Sequence, residues 1–231
     1  MKKVLIIGSA IMLIVTLFTQ CEKKTEQEVV KIPDNAFLDA LIEQGVDSDA
    51  DGEISEAEAE AISYLNISGE YLIGEWNVIG NITDLKGIEA FINLDTLICA
   101  YNQIANLDLS GNRKLLMIDC MENRLTSLNL TVQTELLDLN CSQNYLTILD
   151  VSNNKRLKAL ICCTNQLNYL DVSNNNMLEN LICCSNKLTE LEVSNNPALK
   201  SLLCGQNQLT SLDVSYNTDL ESLDCMNINS T

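Results

Sequence analysis

The 231-residue sequence contains no histidine, only 2 prolines, and 14 Lys and Arg against 32 Asp and Glu. Without histidine the chain can form no Ser-His-Asp triad, no Cys-His pair and no His-ligated metal site. The formal net charge of −18 repels nucleic acid and anionic lipid headgroups. No glycine-rich phosphate loop follows a predicted strand. These absences predict a protein that is not an enzyme and has no nucleic-acid partner.

A repeat of 21 residues runs without a gap from Leu94 to Asp219. Each row reads approximately L-x-x-L-x-C-x-x-N-x-L-x-x-L-D-V-S-x-N-x-x. A fixed period of this length is typical of solenoid proteins. The rows begin at Leu94, Leu115, Leu136, Leu157, Leu178 and Leu199, and a seventh begins at Leu220.

Three columns of the repeat hold cysteine or amide side chains between apolar positions. Because the cysteines replace leucine in an inward column, we interpret them as small buried hydrophobes, and a disulfide or metal ladder is the alternative. The sixth position holds Cys99, Cys120, Cys141, Cys162, Cys183, Cys204 and Cys225. The ninth holds Asn102, Asn123, Asn144, Asn165, Asn186 and Asn207, and the nineteenth holds Asn112, Gln133, Asn154, Asn175, Asn196 and Asn217.

These rows resemble the leucine-rich repeats, specifically the bacterial class with 21-residue repeats. The resemblance implies a leucine-rich repeat solenoid, in which each row makes one coil of a parallel β-solenoid of about eight coils. Leu, Val and Cys would then point inward, and buried Asn side chains would satisfy main-chain groups where the chain leaves each strand. Residues 82–231 are the predicted repeat domain, and residues 82–94 resemble the first repeat of internalin-like proteins.

The N-terminus has the pattern of a bacterial lipoprotein signal in residues 1–20. Lys2 and Lys3 precede an apolar run from Val4 to Phe18, and Cys21 follows. The run is short for a membrane span, so we predict a cleaved signal and lipidation of Cys21, with an uncleaved anchor or an ordinary secretory signal as alternatives. Residues 21–31 are polar and charged, which predicts a flexible tether.

Residues 47–58 (DSDADGEISEAE) match the calcium-binding loop of an EF-hand. The turn residue is Gly52, and oxygen ligands at alternating positions suit Ca²⁺. The alternative is an acidic turn before a helix, because Ser55 and Glu58 also form a capping-box pattern. The predicted ligands of this single Ca²⁺ site are Asp47, Asp49, Asp51, Glu53 (through its carbonyl), Ser55 and Glu58.

Two helices are predicted to flank this loop, and a strand to follow. The first opens at Pro33 and Asp34, and the second runs from Ser55 to about Ile62. Residues 64–67 are a predicted first strand, and residues 69–81 look like an insertion in the first coil. The predicted α-helical cap with its EF-hand-like loop therefore spans residues 32–81.

Two surface columns are candidates for a ligand-binding face. The fifth position has three consecutive apolar residues, which predict an exposed partner site unless a neighbouring segment covers them. The fifteenth position is acidic, which indicates either turn caps or a stripe that binds cationic ligands. The candidate residues are Ile161, Cys163, Ile182, Cys184 and Leu203 from the first surface and Asp150, Asp171 and Asp213 from the second.

Cys163 and Cys184 occupy the same outward position on adjacent rows. A bridge between neighbouring strands about 4.8 Å apart would be strained, so the spacing favours two free thiols.

Taken with the resemblance, these features predict a non-catalytic binding or adhesion module of the bacterial cell envelope. It would be lipid-anchored and would recognise an extracellular protein or glycan through its repeat sheet. One alternative is a structural envelope component that assembles through its uncapped C-terminal edge. Another is a binding protein regulated by calcium.

Overall fold

The computed structural model describes residues 28–69 and 80–226. The predicted signal peptide, the lipidation site Cys21, most of the predicted tether and most of the predicted insertion lie outside the described residues. Within the described ranges, no helix is long and apolar enough to cross a membrane.

Two short helices and one parallel sheet of eight strands make up the described chain. Helix α1 is Asn35–Glu43, α2 is Glu56–Ala61, and a 3-10 turn occupies Ile88–Ala90. The strands are β1 Tyr64–Asn66, β2 Thr96–Ile98, β3 Met117–Asp119, β4 Asp138–Asn140, β5 Ala159–Ile161, β6 Asn180–Ile182, β7 Ser201–Leu203 and β8 Ser222–Asp224.

The strands pair in chain order, and each pair is parallel. From β2 onward each strand starts 21 residues after the previous one, so identical repeat positions lie opposite each other. Leu160, for example, is in register with Leu181, and Leu181 with Leu202. The predicted leucine-rich repeat solenoid with a small helical cap is therefore confirmed. The strand occupies positions three to five of the repeat, and only its middle residue points inward.

The helical cap and the coils share one continuous hydrophobic core. It extends from Phe37 and Leu41 of α1, through Ile54 in the acidic loop, to Leu209 in the sixth row. The sheet begins at Tyr64, within the stretch 32–81 that the sequence suggested for the cap. The cap is thus an integral end of the solenoid and shields the apolar interior of its first coil.

Asp34 fastens the cap to the first coil with both carboxylate oxygens. Its Oδ1 accepts hydrogen bonds from the amides of Ala36 at 2.9 Å and Phe37 at 3.1 Å, which caps α1. Its Oδ2 accepts hydrogen bonds from the amides of Thr83 at 2.8 Å and Asp84 at 3.0 Å. One side chain therefore fixes both the start of the helix and its position on the coil.

The sixth-position cysteines form a buried column inside the coils. Those from Cys99 to Cys204 are at most 1% exposed, and Cys225 is half-buried. Burial raises the pKa of the Cys99 and Cys141 thiols to about 12, which keeps them protonated. The interpretation of this column as packed small hydrophobes is confirmed for the buried members.

The ninth-position asparagines join each coil to the one before it. The Nδ2 of Asn165 donates to the carbonyls of Cys162 and Cys163 in its own coil, both at 3.3 Å. It also donates to the carbonyl of Cys141 in the preceding coil at 3.0 Å. Its Oδ1 accepts from the amide of Leu146 at 3.0 Å. The side chain therefore satisfies the carbonyls of Cys141 and Cys162 and the amide of Leu146, which main-chain pairing leaves without a partner.

The nineteenth-position amides also bridge coils, but only through their donors. The Nδ2 of Asn154 donates to the carbonyls of Leu130 at 3.1 Å and Gln133 at 2.8 Å. The buried side-chain oxygens of this column accept no hydrogen bond from the described residues. The ninth position therefore contributes more to holding the coils together than the nineteenth.

Charged side chains alternate in sign at the second position of the fourth to seventh rows. We call Lys158, Glu179, Lys200 and Glu221 the charge ladder. Lys200 Nζ lies 2.6 Å from a Glu179 carboxylate oxygen, and Lys200 and Lys158 both lower the pKa of Glu179. Solvent screens each exposed pair of this kind, so it contributes little to stability.

Replacing Asn165 with Ala should destabilise the solenoid by about 2–4 kcal/mol, because buried main-chain groups in two coils lose their partner. Urea unfolding of the full chain measures this loss. Asn168 is exposed and makes no hydrogen bond with a described residue, so Asn168→Ala is the matched control and should change stability by less than about 0.5 kcal/mol. Equal effects of the two substitutions would contradict the assigned role of the column.

Candidate ligand-binding face and candidate metal centre

Three neighbouring strands present apolar side chains at their outward third residue. Ile161, Ile182 and Leu203 lie side by side in register and are each half-buried. Cys163 and Cys184 follow two residues after β5 and β6 and are also half-buried. We call these five residues the apolar patch. The same strand position holds Asp119 and Asn140 in β3 and β4, so the patch is confined to β5–β7.

Cys163 and Cys184 form a disulfide in the structure, so the expectation of two free thiols is wrong. Their Cα atoms are 4.7 Å apart, which lies within the range of about 4.4–6.8 Å that a disulfide requires. Neighbouring coils already hold the two residues at this separation. The bond therefore forms without moving the main chain, and it removes two thiol donors from the patch.

The candidate acids Asp150, Asp171 and Asp213 lie on another part of the coil surface. Asp171 follows Ile161 by ten residues, and the buried Asn165, Leu167 and Leu170 intervene. Asp171 and Asp213 line a shallow groove of about 600 Å³ that includes Tyr169 but no residue of the apolar patch. The structure therefore does not bring the eight candidate residues together, and a ligand-binding role for these acids stays a prediction.

Each of these acids makes a local turn contact. The carboxylates of Asp150, Asp171 and Asp213 accept hydrogen bonds from the amides of Ser152, Ser173 and Ser215 at 2.9, 2.8 and 2.8 Å. Hydrogen bonds from the serine hydroxyl and amide lower the pKa of Asp150 and of Asp171, and those from the amide and hydroxyl of Ser215 lower that of Asp213. The acids therefore stabilise the turn that follows each of them.

The acidic loop between the two helices has the main-chain turns that an EF-hand needs. Gly52 adopts φ 85° and Ala50 adopts φ 59°. Asp47 accepts hydrogen bonds from the amides of Asp51 at 3.2 Å and Gly52 at 3.0 Å. These contacts curl the loop around its first acid, so the positive φ required at Gly52 explains why glycine stands there.

The loop brings three of the predicted ligands close together. Carboxylate oxygens of Asp47, Asp49 and Glu58 lie within 4.8 Å of one another. Because Ca²⁺ binds oxygens at about 2.3–2.6 Å, oxygens this close can share one ion. Asp51 is not in this cluster, and its Oδ1 accepts a hydrogen bond from the amide of Glu53 at 3.0 Å. The donor set is thus oxygen-only, acidic and convergent, which fits Ca²⁺.

Glu58 also belongs to the helix cap, as the alternative interpretation of the loop requires. It forms a capping box with Ser55 at the start of α2, and its Oε1 accepts from the amide and hydroxyl of Ser48 at 2.7 and 2.8 Å. The Ser55 amide, followed by the hydrogen bonds from Ser48, lowers the pKa of Glu58 to about 2. A calcium ion would have to share this carboxylate with the cap.

A short segment before α1 pairs with the loop in place of a second EF-hand. The amide of Val30 donates to the carbonyl of Ile54 at 2.7 Å, and the amide of Glu56 donates to the carbonyl of Glu28 at 2.8 Å. Val29 and Ser55 form an antiparallel bridge. The sequence contains one such loop, and this pairing satisfies the main chain that a partner loop would otherwise cover.

One groove contains no residue that the sequence analysis singled out as a candidate. It lies beside the ninth-position column and is lined by Glu122, Arg124, Gln143 and Tyr145. No spacing motif marks these residues, because they vary between rows. The repeat itself could have indicated that the eighth and tenth positions point outward on either side of the buried asparagine.

Comparisons with known proteins agree with the fold. No protein-family model matches this chain, and no curated protein matches it. Among solved structures, it is similar to the functional domain of InlJ from Listeria monocytogenes, described as including a cysteine ladder, with a TM-score of 0.74 and 36% identity. An internalin C2 from the same species has a TM-score of 0.61 at 17% identity and supports the fold alone.

These neighbours define the class of structure: an internalin-like leucine-rich repeat solenoid with 21-residue coils. The match to the InlJ domain covers 87% of this chain but only 43% of the InlJ chain. The match to internalin C2 covers 86% of this chain and 97% of the internalin C2 chain. The chain therefore spans less than half of the InlJ domain. This chain also carries a repeated column of cysteines, from Cys99 to Cys225.

Replacing Asp150, Asp171 and Asp213 together with Asn should reduce the loss of stability in acid. Their pKa values are lowered in the folded state, so they contribute stability above the unfolded pKa of about 3.9, and this contribution disappears as pH falls through the folded pKa. Asn keeps the acceptor without titrating, as Asn129 shows by accepting from the Thr131 amide at 3.1 Å.

Urea unfolding of the full chain at neutral pH and near pH 2.5 tests this expectation. Glu190→Gln is the control, because Glu190 is an exposed acid on the same surface that makes no turn contact. If acid lowered the free energy of unfolding of the triple variant as much as that of the original chain, the assignment of these acids to the turns would be contradicted.

Proposed function

We propose that this chain is a non-catalytic binding module of the bacterial cell envelope that recognises an extracellular protein through the sheet face. The observation that carries the proposal is the apolar patch. Three aliphatic side chains that remain half-exposed on adjacent strands are the kind of surface that a protein partner buries. The disulfide and the three aliphatic chains offer few hydrogen-bonding groups, so this surface suits a protein better than a glycan.

The scaffold supports this role because it holds the patch rigidly. Main-chain pairing and the buried Asn165 and Asn186 fix β5 and β6, so a partner meets side chains that are already in place. The resemblance to internalin-like solenoids agrees with a binding function. Since the chain spans only part of the InlJ domain, the partner is proposed from the chemistry of this surface alone.

Anchoring at the envelope through a lipid on Cys21 is part of the same proposal. It is supported by the basic, apolar and cysteine segments of residues 1–21. A lipid at that position would hold the solenoid near the membrane while the sheet face remains available to a partner. Replacing Cys21 with Ser should then abolish incorporation of a labelled fatty acid into the chain.

We also propose that the acidic loop binds one Ca²⁺ ion that stabilises the cap. Asp47, Asp49 and Glu58 would hold the ion with their side chains, and Glu53 with its main-chain carbonyl. Bound calcium would neutralise the mutual repulsion of these acids. The continuous core between cap and coils favours a structural metal over one that moves the cap and regulates binding.

Replacing Ile182 with Asn should weaken binding of a protein partner by about tenfold or more, because the centre of the apolar patch becomes polar. Asn140 occupies the same position in β4, so the fold accommodates this residue. Surface plasmon resonance of the full chain against a panel of purified extracellular proteins measures the change. The control is Ile98→Asn, which alters the same position outside the patch.

Three results would count against the sheet face as the recognition surface. Ile182→Asn could retain binding, Ile98→Asn could lose as much affinity as Ile182→Asn, or the chain could bind no protein of a broad panel. Thermal unfolding of both variants establishes that they remain folded.

Calcium should raise the thermal unfolding midpoint of the full chain, and a chelator should reverse the increase. An ion that binds only the folded state adds about 2.7 kcal/mol when its concentration is 100 times Kd. Asp49→Ala should abolish the increase with little effect in chelator, because it removes a ligand oxygen while Asp49 makes no hydrogen bond with a described residue. Glu53→Ala should retain it, since only the carbonyl of Glu53 is a predicted ligand. If calcium does not shift the midpoint of the original chain, the loop is an acidic capped turn.

A further inference from the structure

The chain turns sharply after each strand, and the turn creates two outward rows of side chains. The eighth residue of each complete row, from Tyr101 to Gln206, adopts a positive φ of 52–57°. The ninth residue is the buried asparagine, and the tenth points outward again. The eighth and tenth positions therefore form the two banks of a groove that follows the solenoid axis.

The floor of this groove is rigid. Asn123 and Asn144 are 6% and 5% exposed, and each donates to three main-chain carbonyls. Their Oδ1 atoms accept from the amides of Ile104 at 3.0 Å and Leu125 at 2.9 Å. Side chains on the two banks are thus attached to a main chain that cannot easily move, which reduces the entropic cost of binding.

A recess of about 410 Å³ lies between the banks where the second and third rows meet. Its lining combines an acid, a base, an amide and an aromatic ring, contributed by Glu122, Arg124, Gln143 and Tyr145. The Tyr145 side chain is 53% exposed, so much of its surface is available to a ligand.

The side chains of these four residues make no hydrogen bond or ion pair with a described residue. The same banks are used differently further along the solenoid, where the Ser185 hydroxyl donates to Gln206 at 2.5 Å and Lys187 Nζ donates to Gln166 at 3.4 Å. The uncommitted donors and acceptors are therefore concentrated around the recess, beside an exposed ring.

We propose that this recess binds a neutral sugar. A pyranose has apolar C–H faces and a rim of hydroxyl groups that both donate and accept hydrogen bonds. The ring of Tyr145 can cover a C–H face, while Arg124 donates, Glu122 accepts and the Gln143 amide does both. The volume of the recess suits one or two sugar rings, with the rest of an oligosaccharide following the groove.

The charges on the banks favour a neutral sugar over an acidic one. The single positive charge of Arg124 is balanced by the negative charge of Glu122. The chain as a whole has a formal net charge of −18. An acidic sugar or a phosphate would meet this overall field without a second cation to compensate for it. The recess shares no lining residue with the apolar patch, so this inference does not rest on the proposed protein-binding function.

Saturation-transfer NMR and calorimetry of the full chain with a panel of neutral mono- and disaccharides test the proposal. The panel includes glucose, galactose, mannose, fucose, N-acetylglucosamine and their disaccharides, with sialic and uronic acids for comparison. We expect at least one neutral sugar to bind, with Tyr145→Ala and Gln143→Ala weakening its affinity about tenfold or more. Tyr169→Ala is the matched control, because Tyr169 is similarly exposed at 56% but lies outside the recess.

Three outcomes would overturn the proposal: no neutral sugar binds at about 10 mM, only the acidic sugars bind, or Tyr169→Ala weakens binding as much as Tyr145→Ala. Thermal unfolding identifies variants that fail to fold, and Gln143→Ala then tests the recess without removing the ring. Ile182→Asn should leave sugar affinity unchanged, so failure of the sugar site and failure of the protein-binding patch are distinguishable.

Discussion

The structure depends on the hydrogen bonds of the buried asparagine column. Every coil must turn away from the sheet after three strand residues, and at that point main-chain amides and carbonyls lose their strand partners inside an apolar interior. Asn165 supplies both donors and an acceptor to these groups and reaches the preceding coil as well as its own. Leucine and cysteine can then fill the remaining inward positions, because the polar requirements of the turn are already satisfied.

This arrangement leaves the outward positions free to differ between rows. The fifth position is apolar on the three adjacent strands β5–β7 and polar on β3 and β4, the fifteenth caps turns with acids, and the eighth and tenth form a mixed polar groove. Each surface is carried by the same rigid framework, yet each offers different chemistry to a ligand. The cap contributes a further element, since Asp34 and the shared core tie the acidic loop to the first coil. The ligand that each surface can bind therefore depends on which rows are neighbours in the solenoid.

Much of this architecture could be predicted from the sequence, because the period places every inward residue in a column. The positions of Gly52, Asp47 and Glu58 likewise predicted a loop whose acids converge. The period could not tell which half of the repeat forms strands, since both halves carry an L-x-x-L-x pattern. The period placed Cys163 and Cys184 on adjacent coils but did not predict the disulfide between them, and it could not show that Asp171 lines a groove that excludes Ile161. Those features depend on how the coil closes in three dimensions, which spacing along the chain does not specify.

The charge ladder has a consequence for how such an array can change in length. Loss of one whole coil would leave the leucine, cysteine and asparagine columns intact, because identical positions would still stack. Loss of the coil that carries Glu179, however, would place Lys158 beside Lys200 and bring two like charges together. Loss of two adjacent coils would restore the alternation. The interior of this solenoid is therefore indifferent to the number of its coils, whereas the charge ladder restricts which coils can be lost singly.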